Sequence, residues 1–135
     1  AYTAVDIAAR RWLAIPQERE GFIAHLPQVL AAWAEGEIDD APESWSDFET
    51  RTQAALSEIA AGEGPALVVT SGGLISMAMR QAMMLEITGM ARMALAIMNT
   101  SMHRLFPIGG HWSPVLFNAV PHLETPDRHF AQTHL

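Results

Sequence analysis

Val68-Val69-Thr70-Ser71-Gly72-Gly73-Leu74-Ile75 is the stretch on which the reading of the fold turns. It closes a short apolar run, residues 65–70, that is rich in β-branched residues and follows a Gly/Pro boundary. Continuous rather than alternating apolarity predicts a strand covered on both faces, as in a parallel sheet. Gly72 and Gly73 permit a tight turn, and residues 74–85 then form a Met-rich helix that is apolar nearly all round and so belongs against the sheet. Free amides at a helix N-terminus, together with the helix dipole, favour an anion such as phosphate. Thr70 and Ser71 add hydroxyls at the carboxyl end of the strand, where open α/β sheets place their ligands. A Gly-Gly corner after a strand is structural at least as often as it binds something. The corner also lacks half of the Gly-x-Ser-x-Gly nucleophile elbow of serine hydrolases, because Val69 stands two residues before Ser71.

Working upstream, Ser44-Trp45-Ser46-Asp47 has capping-box spacing and opens a helix whose Trp45, Phe48, Thr52, Ala55, Leu56 and Ile59 recur as a buried stripe, closed by Gly62 and Gly64. Asp39-Asp40-Ala41-Pro42 predicts a turn. Before it, Phe22, Leu26, Val29, Leu30 and Trp33 mark one face of a helix that stops at Gly36 and is kinked by Pro27 or begins there. A further helix is expected from the capping spacing of Thr3 and Asp6, with Val5, Ala8, Ala9 and Trp12 following and Pro16 ending it.

Downstream, residues 88–97 suggest another short helix. Residues 99–107 and 112–118 suggest two strands joined over Gly109-Gly110 as an antiparallel hairpin, and residues from Thr125 onward a tail. The order is an α/β pattern without its opening strands, since the one parallel strand has no parallel partner in the sequence. One domain over residues 1–135 is expected.

Composition narrows the function classes. Half of the 135 residues are hydrophobic and 17% are charged, which argues against disorder and allows burial of roughly two thirds of the unfolded surface. A formal charge of -7, with acids grouped in residues 35–49, argues against a nucleic-acid partner, which needs a basic face. Apolar runs are broken well before the ~20 residues that span a membrane, and no signal peptide is visible. A cytoplasmic protein is the default expectation. Without cysteine there is neither disulfide nor thiolate chemistry. The six histidines, His25, His103, His111, His122, His129 and His134, show no metal-ligand spacing, so no metal and no cofactor is expected. Met77, Met79, Met83, Met84, Met90 and Met93 fit a core, or a surface covered by a further segment or a second subunit, so a homo-oligomer stays among the expectations. Arg80 and Arg92 lie in otherwise apolar helices and require a carboxylate or carbonyl partner. Glu43 is a candidate general acid, but its place beside a cap favours a local structural role.

Four landmarks in order carry a resemblance to a known family. Thr70-Ser71-Gly72-Gly73 is similar to the Ser-His-Gly-Gly that follows a hydrophobic strand in many histidine phosphatases, the phosphoglycerate mutase-like superfamily. Pro42-Glu43-Ser44-Trp45-Ser46-Asp47-Phe48, with Arg51, resembles its Gly-Glu-Ser segment. Asn99-Thr100-Ser101-Met102-His103-Arg104-Leu105 resembles its Asn-x-Ser-x-x-x-Leu strand. Phe117-Asn118 with His122-Leu123 resembles the exit of its last strand.

The resemblance implies a three-layer α/β/α fold with a mixed sheet, seen here without its first strands, as the second half of the family's domain. It implies a phosphomonoester hydrolase, or a mutase, acting on a phosphorylated small molecule. In the family a His after the first strand forms a phosphohistidine, two Arg and a second His hold the phosphoryl oxygens, and an acid protonates the leaving group. No Arg-His-Gly occurs in this sequence, so the nucleophile is expected to precede Ala1 in a longer, trimmed or processed protein. Ser71 stands at the position of the second His, as in a Thr-Ser-Gly-Gly branch of the superfamily. Thr70, Ser71 and Gly72 are then the expected phosphate-binding residues. The alternative is a non-catalytic relative that binds a phosphorylated ligand or a protein.

Overall fold

A computed structural model describes residues 19–134. The helix expected around Val5 to Trp12 lies outside the described residues. Among the described residues are four α-helices and a two-stranded sheet, and the chain divides after Ile59 into two compact units.

The first unit holds helices α1 (Arg19–Ala34) and α2 (Trp45–Ala61). Helix α1 runs through Pro27 and does not begin there. His25, Leu26, Val29, Leu30 and Ala32 form its buried face, which shares the predicted 3.6-residue period. Val29, Ala32 and Ile38 make a small core with Trp33 and Ala41 against it. Trp33 ties the connection back: its ring meets Trp45 edge-on at 5.2 Å and stacks on Phe48 at 5.5 Å, and its indole N–H donates to the Glu43 carbonyl at 2.9 Å. Such aromatic pairs contribute beyond the area they bury.

Helix α2 starts where the capping spacing places it. Ser44 Oγ accepts the Asp47 N–H at 3.0 Å and donates to the Asp47 carboxylate at 2.7 Å, which satisfies one of the helix's free donors. Its predicted stripe is buried only at Trp45, Phe48 and Thr52. Ala55 is exposed and Leu56 and Ile59 are half-buried, because burial of this helix ends two turns in, at Thr52.

In the second unit the residues around the Gly-Gly corner depart from the expectation. Residues 65–70 form no strand, and they are not covered on both faces: Leu67 is 92% and Val69 91% exposed. A strand needs a neighbour to take its backbone N–H and C=O groups, and among the described residues the two existing strands pair only with each other. The expected helix follows as α3 (Gly72–Met83), two residues earlier than predicted because Gly72 and Gly73 form its first turn instead of a separate tight turn, and it packs on α4 (Ile87–Ala96). Ser76, Met77, Ala78 and Met79 are buried on α3, and Met90, Ala91 and Ala94 on α4. The expectation of burial all round fails at the end of α3, where Met83 is exposed and Met84, the left-handed cap, is 90% exposed.

Strands β1 (Met102–Ile108) and β2 (His111–Ala119) form the predicted antiparallel hairpin, with Ile108 opposite His111. Gly109 and Gly110 have φ of 60° and 80°, the two left-handed positions that a tight hairpin turn requires and that glycine adopts freely. A register shift between Arg104 and Leu105 interrupts the ladder, and β2 packs on α3. Residues after Thr125 are not a free tail. Pro126–Ala131 forms a 3-10 helix, and the chain returns to bridge Met98 with His134, with Asn99 N–H donating to the Thr133 carbonyl at 2.8 Å. Pro126 at the first helical position, with φ preset, explains that turn. Helices combined with a strand hairpin agree with the expected α/β class, and the sheet is small.

Candidate functional site

Ser71 is the N-cap of α3, with extended backbone (φ -96°, ψ 162°), and its carbonyl accepts the Ile75 N–H at 3.0 Å. Its hydroxyl makes no capping bond and is solvent-exposed, as is Thr70. The first-turn amides of a helix have no partner within the helix. The first turn here carries no acidic side chain to offset the positive end of the dipole. Gly72 and Gly73 present no side chain over those amides. Nothing lies within 4 Å of a Cβ built on Gly73, and one built on Gly72 meets only Ile97 Cγ2 at 3.8 Å, an ordinary contact. Ser76, fully buried, donates its hydroxyl to the Gly72 carbonyl at 2.7 Å and holds the first turn. Thr70, Ser71 and Gly72 therefore share one corner: two exposed hydroxyls beside open backbone donors.

Glu43 is engaged elsewhere. Arg51 donates to both its carboxylate oxygens, at 2.7 and 2.9 Å, and lies over the Phe48 ring at 5.2 Å. The hydrogen bond from Arg51 is the main reason its carboxyl is held below the ordinary value of 4.5. A carboxyl kept ionised this way is a poor proton donor, so the local structural role is the better reading of Glu43.

The histidines do not converge. Among the described residues no three His, Cys, Asp or Glu side chains come together in a way that holds a metal ion. His103 pairs with a serine, Nε2 to Ser101 Oγ at 2.9 Å, yet this is not an activated nucleophile. Its Nδ1 accepts the Asn118 N–H at 3.3 Å. The neutral ring must then carry its proton on Nε2 and donate to Ser101, the wrong tautomer for a general base. His122 Nε2 lies 2.9 Å from Thr100 Oγ1, and His134 Nδ1 3.2 Å from the Ala96 carbonyl.

Asn118, one of the sequence landmarks, does structural work that its place in the motif does not announce. It sits at φ 58°, donates through Nδ2 to the Ala96 carbonyl at 2.6 Å, and accepts the Met98 N–H on Oδ1 at 2.7 Å. An Asn at a strand's end, where left-handed backbone is tolerated, was the available signal.

Residues 11–120 match the family model of the histidine phosphatase superfamily (branch 1). The chain belongs to that superfamily. The match takes in the three landmarks from Pro42 to Leu105 whole, and the fourth through Asn118. No curated protein and no solved structure matches the chain. Membership makes the small α/β arrangement phosphoglycerate mutase-like, and suggests phosphatase or mutase activity on phosphorylated small molecules. Among the described residues no helix is long and apolar enough to cross a membrane.

Proposed function

We propose that this superfamily member is a phosphomonoester hydrolase, less favourably a mutase, that works through a phosphohistidine, with Thr70, Ser71 and Gly72 forming part of its phosphate pocket. The observation that carries the reading is Ser71 at the N-cap of α3: its hydroxyl is uncommitted and the helix's first turn carries no acid. Phosphoryl transfer demands positioning and donors aimed at the equatorial oxygens, where negative charge sits in the transition state. Helix-end amides supply such donors, and Ser71 adds a neutral hydrogen bond where the family places a His. A neutral donor is roughly half as strong as a charge-assisted one, so the rest of the charge compensation falls to cationic groups elsewhere in the intact protein.

No Arg-His-Gly occurs among the 135 residues, so the phosphohistidine is assigned to a segment outside them, and residues 1–135 to the second half of the family's domain, in a Thr-Ser-Gly-Gly branch. The same absence favours a second reading, a non-catalytic relative that binds a phosphorylated ligand or a protein. The intact mass of the natural protein, with p-nitrophenyl phosphate hydrolysis on the same sample, separates the two. The enzyme reading expects a mass above 14.8 kDa and turnover that disappears when the His of an upstream Arg-His-Gly is changed to Ala. A folded, inactive protein of 14.8 kDa leaves the binding relative.

A further inference from the structure

We propose that His103 is an acid-sensitive clasp that holds the left-handed turn at Asn118 and, through it, the connection leaving α4. The clasp is built from both strands. Just before β1, Ser101 Oγ meets the ring Nε2 at 2.9 Å; on β2, the Asn118 N–H donates to Nδ1 at 3.3 Å, and the Phe117 ring lies edge-on at 5.0 Å. Asn118 then reaches across the chain, donating to the Ala96 carbonyl and accepting the Met98 N–H. The residue between those two, Ile97, is buried and is the neighbour that a Cβ on Gly72 would meet, 3.8 Å from its Cγ2. A single ring nitrogen therefore stands at one end of a set of hydrogen bonds that fixes the backbone on both sides of Ile97, the side chain that lies beside Gly72.

Adding a proton to His103 places it on Nδ1, facing the Asn118 N–H. Two donors then point at each other, and the bond that closes the clasp is lost. The left-handed backbone of Asn118 (φ 58°) then loses the tie at its N–H. The titratable groups nearby are Arg104, next along β1, His122, held at Thr100, and His134, held at the Ala96 carbonyl. None of them offsets the effect: burial alone holds the ring below its ordinary 6.5, with no contribution from a charged neighbour.

The test is a pH titration of the 15N-labelled protein, following the imidazole nitrogens of His103 and the backbone amide of Asn118. The expected result is the Nε2–H tautomer at neutral pH, and an Asn118 amide that shifts in one step with the ring, at a midpoint below 6.5. In His103→Asn, whose side-chain oxygen still accepts the amide but cannot titrate, that step should vanish. An Nδ1–H tautomer at neutral pH, or an Asn118 amide that does not follow the ring, overturns the clasp. So does a step that survives in His103→Asn. Should that variant fail to fold, the wild-type titration decides alone.

Discussion

At the scale of single residues, Ser71, Asn118 and Glu43 separate local structure from function. Ser71 spends no side-chain bond on its helix, so Ser71→Ala should leave thermal stability within about 0.5 kcal/mol of wild type. Loss of one neutral donor to a phosphoryl oxygen should weaken phosphate binding about 3- to 10-fold. Calorimetry beside a phosphate titration checks both halves, and a large stability loss would make the residue structural. Asn118 behaves the opposite way. Asn118→Ala loses two side-chain hydrogen bonds and puts a Cβ-bearing residue without local compensation at φ 58°, for an expected loss of about 2–4 kcal/mol. Asn118→Gly loses the same bonds but relieves the backbone, so it should be about 1 kcal/mol less harmful in denaturant melts. For Glu43, folding lowers the carboxyl's affinity for protons, so its pair with Arg51 contributes fully above 4.5 and that contribution fades as pH falls below it. Both partners are substantially exposed, so Glu43→Gln should cost no more than about 1 kcal/mol at neutral pH, and less in acid.

At the scale of elements, what was legible in the sequence was what is locally determined. The Ser44 cap and the Gly109-Gly110 hairpin each follow from residues in contact along the chain and stand where their residues put them, and α3 starts within two residues of its expected place. What failed depended on distant partners. The apolar run at residues 65–70 has strand composition, but a ladder needs a neighbour that composition cannot name. The stripe of α2 has helical period throughout, yet only its first turns meet a core. The return of the chain to pair at Met98 rests on Asn99 and Thr133, 34 residues apart, so no window of sequence reveals it. The candidate site divides the same way: the corner at Ser71 is local and was readable, whereas the Asn118 network is not. The hairpin offers a test of the local half. Gly109→Asn should be tolerated within about 0.5 kcal/mol, because Asn suits the first left-handed position of such a turn, whereas Gly110→Val should cost about 1–2 kcal/mol. Equal effects of the two in equilibrium unfolding would contradict the turn assignment.

For the whole molecule, membership of the histidine phosphatase superfamily rests on the match over residues 11–120, and the chemistry proposed for it rests on one corner of the fold. The chain carries that corner without Arg-His-Gly, so phosphate recognition is the part of the mechanism that these residues are asked to perform. Binding can therefore be examined directly, apart from turnover. The decisive measurement is a titration of inorganic phosphate into the 15N-labelled protein, following the amides of Gly72, Gly73 and Leu74. The account predicts saturable shifts at these three amides at millimolar phosphate, weakened in Ser71→Ala. Amides that stay in place in a folded protein, or that move equally in Ser71→Ala, would contradict it.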